Sequence, residues 1–132
     1  MKDLLGGKMN LKVLPNEYSV CRLPPTSPVP TWVYQSPLYT ISKTDDELSL
    51  LCRSDLVQNV DNEEKSFRAI KVMGPLDFSL TGILYSLAKP LAENKISIFA
   101  VSTFDTDYLL LKTETLETGI DLLKQEGFQI SH

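Results

Sequence analysis

A chain of 132 residues, 42% hydrophobic and 23% charged, has room for one compact core or two half-size modules of an ordinary globular kind. Its net charge of −4, with no run of Lys or Arg, argues against non-specific nucleic-acid binding, which needs clustered cations to displace counterions. No apolar run approaches the roughly 18 residues of a membrane span. Asp3 and Lys8 break any signal-peptide core in MKDLLGGKMNLKVL, so the chain reads as cytoplasmic and away from membranes.

The residue inventory removes several chemistries. The one histidine, His132, ends the sequence, which leaves Ser-His and Cys-His nucleophile pairs and a His/Cys zinc site without members. Cys21 and Cys52 lie in strand-like stretches without CxxC spacing and read as reduced, buried, small hydrophobes. There is no Walker loop and no GxGxxG. No cofactor, metal or enzymatic activity is expected.

Residues 11–23, LKVLPNEYSVCRL, predict two short strands around Pro15-Asn16. Residues 24–37 hold five of the eight prolines and predict a loop with at most one helical turn, with Trp32 as a hydrophobic plug. Residues 38–43 and 47–53 alternate in the strand manner around Thr44-Asp45-Asp46 and predict a hairpin. Residues 54–65 read as a polar connector, with Asp61 to Glu64 as a solvated linker.

A strand is expected over 67–74, closed by Gly74-Pro75. From Ser79 the apolar period becomes helical through Ile83, Leu84, Leu87, Ala88, Leu91 and Ala92. Pro90 falls inside this helix and removes the hydrogen bond to the Ser86 carbonyl, which predicts a kink; Asn94-Lys95 can close it. Residues 97–103 and 107–112 predict a second hairpin. A helix from Thr115 to Glu126 follows, stopped by Gly127, and then a short strand over 128–131.

The second half thus has the order βαββαβ, the ferredoxin-like split βαβ of the α+β class, with two helices on one face of an antiparallel sheet. The two hairpins are also copies. Placing Ser42 on Ser102 puts Asp45 on Asp105, Glu47 on Asp107 and Leu50 on Leu110, a spacing of 60 residues. Between Leu23 and Leu38 the first copy is too short for a crossover helix. The expected organisation is a degenerate module over 1–65 and a full one over 66–132.

Residues 74–112, GPLDFSLTGILYSLAKPLAENKISIFAVSTFDTDYLLLK, resemble the ACT domain family, βαββαβ modules that bind amino acids or other small effectors. LKVLP and ISKTDDELSLLC extend the resemblance, more faintly, over the first half. The pattern is similar to tandem-ACT bacterial proteins and to the modules of the cytosolic arginine sensors of animals. The resemblance implies a ligand held between the loop after the first strand and the second strand. Carried over by position, that is Asp77, Phe78, Ser79, Leu80, Thr81 and Gly82 on the loop, and Ser102, Thr103, Phe104, Asp105 and Asp107 on the hairpin. It implies a non-catalytic sensor or regulatory protein that binds an amino acid, forms a homodimer and passes its output to a protein partner. The alternative is an interaction module of ACT fold that has lost its ligand.

The residues themselves admit two readings. Unpaired N–H groups at a helix start suit a ligand carboxylate, with Gly82 giving close backbone approach; or Asp77 or Ser79 caps the helix and Gly82 lets it pack on the sheet. Asp105 and Asp107 suit an ammonium or guanidinium; or Asp105 is a turn residue bonded to its own backbone. An Asp-x-Asp calcium site lacks further oxygen ligands.

Overall fold

The computed structural model describes residues 9–73 and 82–132. Asp77, Phe78, Ser79, Leu80 and Thr81, and with them the expected helix start at Ser79, lie outside the described residues. The strands are β1 (Asn10–Val13), β2 (Tyr18–Leu23), β3 (Thr40–Lys43), β4 (Leu48–Arg53), β5 (Asn62–Val72), β6 (Phe99–Ser102), β7 (Asp107–Lys112) and β8 (Gln129–Ser131); the helices are α1 (Ile83–Glu93) and α2 (Thr113–Gln125). They form two compact units. One is Asn16–Phe67; the other combines the described residues of Met1–Pro15 with those of Arg68–His132. The divide expected at residue 65 falls inside β5.

In the unit Asn16–Phe67 the strand order is β3-β4-β2-β5, every neighbour antiparallel. This is the ferredoxin-like sheet, with the last strand beside the first and the third between first and second. The two helices are reduced to 3-10 turns, Thr31–Gln35 and Ser54–Leu56. Prolines 24, 25, 28 and 30 deny the first crossover the amide donors a full helix needs. The core is correspondingly small: Cys21, Val33, Leu48, Leu50 and Cys52, with Trp32 packed against it as the expected plug. Both thiols are free and buried. Burial, then the charge of neighbouring groups, pushes Cys21 up to about 12 and Cys52 up to about 11, so neither is a nucleophile at neutral pH.

The acidic run expected as a linker is a correction. Asn62, Glu63 and Glu64 open β5 and pair with Arg22, Cys21 and Val20. The strand tolerates this because buried Ser19 donates to Glu63 Oε2 at 2.7 Å. A register shift between Tyr18 and Val20, with Ser66 at φ 69°, marks a bulge where β5 passes from one unit to the other.

The other unit runs β5-α1-β6-β7-α2-β8 as expected, with β1 added. β1 lies antiparallel beside β5 (Leu11↔Val72, Val13↔Ile70) and takes the place the last strand usually fills. β8 is displaced outward and pairs parallel with β1. The core under α1 and α2 contains Leu11, Val72, Ile83, Leu87, Leu91, Leu109, Leu111, Ile120 and Leu123. At roughly 1.5–3 kcal/mol for each large aliphatic side chain, this burial dominates the unit's stability. Gly119 permits it: a Cβ there would sit 2.5 Å from Leu111 Cδ2.

Helix ends follow local chemistry. α1 continues through Pro90, and Lys95 at φ 61°, rather than Asn94, takes the left-handed position. Asn94 instead donates its side-chain amide to the Pro90 carbonyl at 2.7 Å. α2 begins two residues before the expected Thr115 and stops at Gly127, φ 100°.

Candidate functional site

The β6–β7 hairpin closes on backbone and threonine, not on its acids. Thr103 N–H donates to the Thr106 carbonyl at 2.8 Å, and Thr103 Oγ1 reaches the same oxygen at 3.1 Å. Buried Thr106 donates its hydroxyl to the Val72 carbonyl at 3.0 Å, tying the turn to the end of β5. The chain leaves β5 at that end and must run back along α1 to reach β6. The turn and the start of α1 therefore share one end of the sheet.

Ser102 and Asp107 are the last pair of the β6–β7 ladder, and Ser102 Oγ donates to Asp107 Oδ1 at 2.6 Å. Alternation puts Asp107 on the same face as Leu109 and Leu111, the face that α1 and α2 cover. Asp107 is half-buried. α1 opens at Gly82, φ 80°, and among the described residues no side chain caps it. Among the described residues the first bond of the helix runs from Ser86 N–H to the Gly82 carbonyl at 2.8 Å, one turn after the amides of Ile83 to Tyr85. Among the described residues nothing lies within 4 Å of the position of a Gly82 Cβ, and its φ is what favours glycine there.

The structure thus brings Gly82, Ser102 and Asp107 to one end of one face, with Thr103 in the turn beside them. Phe104, 81% exposed, and Asp105 form the tip of the turn. Asp105 makes no bond to its own backbone; Thr103 closes the turn instead. Thr106 is the residue the sequence reading passed over. Its signal was a threonine between two acids, at the position preceding the strand.

The first hairpin has the same turn, one residue out of the expected register. Thr44 N–H donates to the Glu47 carbonyl at 2.9 Å, as Thr103 does to Thr106, and Lys43↔Leu48 ends the ladder as Ser102↔Asp107 does. The copies are therefore 59 residues apart, and Leu48, not an acid, stands where Asp107 does. In the unit Asn16–Phe67 a cavity of about 350 Å³ is lined by Arg22, Ser49 and the carboxylates of Glu47, Asp61, Glu63 and Glu64. Arg22 already donates to the Asp46 carbonyl, and Glu63 to Ser19 is a closed pair. Among the described residues no group of three or more His, Cys, Asp or Glu is placed to hold a metal ion. No helix among them is long and apolar enough to cross a membrane.

The βαββαβ module, with a carboxylate on the last rung of its hairpin, has counterparts among known proteins. Residues 62–125 match the model of the ACT domain, and residues 16–60 match a separate N-terminal-domain family. Residues 62–125 are thus an ACT domain. The chain is 35% identical over 77 residues to the cytosolic arginine sensor for mTORC1, subunit 1, of Rattus norvegicus, covering 56% of this chain but only 23% of that sensor. A solved protein of Agrobacterium tumefaciens is 36% identical and superposes over 95% of this chain and 94% of its own with a TM-score of 0.88. The regulatory subunit of aspartate kinase from Thermus thermophilus shares the fold, with a TM-score of 0.58 at 8% identity over 83% of this chain and 91% of that one.

Proposed function

We propose that this protein is a non-catalytic regulatory or sensor protein that binds an amino acid or similar small effector at the hairpin end of its C-terminal ACT module. The ligand carboxylate meets the amides at the start of α1, where the helix dipole favours an anion. Its ammonium, or a guanidinium, meets Asp107, held in position by Ser102; carbonyls of the turn at Thr103 supply further acceptors. The response passes to a protein partner.

The observation that carries this reading is the pairing of Asp107 and Ser102 on the helix-covered face, at the end where α1 begins. Asp is among the residues depleted in strands, and the equivalent position of the other unit holds a leucine. The arginine sensor's similarity supports an amino acid as the ligand class.

The test is a thermal-shift screen of the twenty amino acids at millimolar concentration. A ligand at 100 times its dissociation constant stabilises the fold by about 2.7 kcal/mol, several degrees for a chain of this size. Asp107→Ala abolishes the shift while Asp105→Ala preserves it, and both melt within a few degrees of the parent. A flat screen, or a shift that survives Asp107→Ala, overturns the assignment.

A further inference from the structure

In the unit that carries α1 and α2, the pairing of β1 with β5 fixes which side chains share a face. Leu11↔Val72 and Val13↔Ile70 turn into the core under the helices. The pair between them, Lys12↔Lys71, therefore stands on the opposite face, one lysine directly across from the other. Like charges so placed destabilise a cross-strand pair. Lys12 is exposed and Lys71 half-buried, and among the described residues neither forms an ion pair.

No carboxylate on this face offsets them. The acids among the described residues of the unit lie on α1, on α2 and its C-cap, and at the β6–β7 hairpin, where Asp107 faces the helices. The opposite face carries Lys12, Lys71 and Lys112 and no acid. The unit is thus electrically two-sided, in a chain whose net charge is −4. The middle of the lysine face, at Ala69 and Leu110, is buried, whereas Asn10, Lys12 and Ser131 are exposed. Met73, which follows β5 and donates its N–H to the Asn10 carbonyl at 2.9 Å, is 40% exposed. The open part is therefore a strip along β8, β1 and the end of β5. Val72, whose carbonyl holds Thr106, lies between Lys71 and Met73, so the strip backs onto the end of the sheet where Asp107 stands.

We infer that this strip docks an acidic protein segment with an apolar side chain beside its carboxylates. The inference rests on the reading that the response passes to a protein partner, and it supplies that partner's place and chemistry. A carboxylate between the two ammonium groups turns a repulsive pair into two charge-assisted contacts. Met73, unbranched and polarisable, takes the apolar neighbour. A nucleic acid would need a longer row of cations than two lysines in an acidic chain. A phosphate group alone would leave Met73 without a contact.

The experiment is an NMR titration of the isotope-labelled full chain with a synthetic peptide alternating Glu and Leu, against the same peptide with Gln in place of Glu. Saturable shifts of the Lys12, Lys71 and Met73 amides are expected with the Glu peptide. They should weaken as salt rises and be at least about tenfold weaker with the Gln peptide. Lys12→Glu makes the cross-strand pair attractive, so it should raise the urea midpoint while abolishing these shifts. The opposite signs separate docking from folding. Asp107→Ala leaves the shifts in place, so a failure of the effector site is read apart from a failure here. Equal binding of the two peptides, shifts confined to other residues, or a Lys12→Glu variant that still binds overturns the proposal. So does a stronger response of the same amides to inorganic phosphate or to anionic lipid vesicles, or to the chain's own concentration without peptide.

Discussion

The hairpins 43–48 and 102–107 share a backbone turn and differ in what stands at the last rung of the ladder. In both, a threonine N–H closes the turn on the carbonyl three residues on. In the first, Thr44 Oγ1 also accepts the amides of Asp46 and Glu47, each at 3.1 Å, so the acids there sit on a self-sufficient turn. In the second, Thr106 reaches out to β5 and Asp107 stands on the helix-covered face. One rung decides the matter: Leu48 extends the core into the turn, whereas Asp107 ends the core and leaves a polar position beside a helix start. The unit with that leucine has only 3-10 turns where its counterpart has helices.

Exchanging the rung residues should separate the two most sharply. Leu48 is 2% exposed, and Leu48→Asp puts an unpaired carboxylate into a five-residue core; a loss of roughly 3–5 kcal/mol, read by urea unfolding, is expected. The reverse change, Asp107→Leu, removes one hydrogen bond at a half-buried position. It should alter stability by only about 1 kcal/mol while abolishing any ligand-induced thermal shift. Should Leu48→Asp prove mild, the equivalence of the two rungs would be wrong.

Smaller effects sharpen the comparison at the neighbouring position. Thr106→Val deletes the buried bond to Val72 and should cost roughly 1–2 kcal/mol. The matching Glu47→Val should stay within about 0.5 kcal/mol, since Glu47 uses only its backbone in the turn. Equal losses at the two positions would remove the tie to β5 from the account.

The cores differ too, Cys52 standing in the register of Leu111. Thiols raised from 9.0 to about 12 and about 11 hold protons in the folded state that the unfolded chain releases. Their contribution is fully present below about pH 9 and is lost as pH rises towards 11–12. The urea midpoint should fall between pH 8 and 10.5, and fall less steeply in the Cys21→Ala/Cys52→Ala double variant. Parallel slopes would show that other groups govern the alkaline limb.

Much of this was legible in the sequence, for identifiable reasons. Strands and helices of the C-terminal half carry clean periods, and Gly127 is a stop that chemistry enforces. The start of β5 was hidden because three polar residues, Asn62 to Glu64, look like linker unless Ser19 is known to meet Glu63. The repeat was read one residue out of register because serines and acids were matched. The true correspondence is between Thr44 and Thr103, which do the same bonding. At the candidate site, Ser102 and Asp107 follow from the family resemblance, and the structure pairs them on one rung. The role of Thr106 could not, since its partner is the backbone of a residue 34 positions away.

Asn16–Phe67 is an insertion, entered at Pro15-Asn16 and left at the β5 bulge. Tyr18 and Phe67 are opposed across neighbouring strands, and Leu14 N–H meets the Ala69 carbonyl at 2.8 Å. Both doorposts of the insertion therefore stand side by side. Splicing Pro15 to Arg68 through a short turn would reconnect β1 and β5 as a plain hairpin, and the excised piece would have adjacent termini ready for grafting or circular closure.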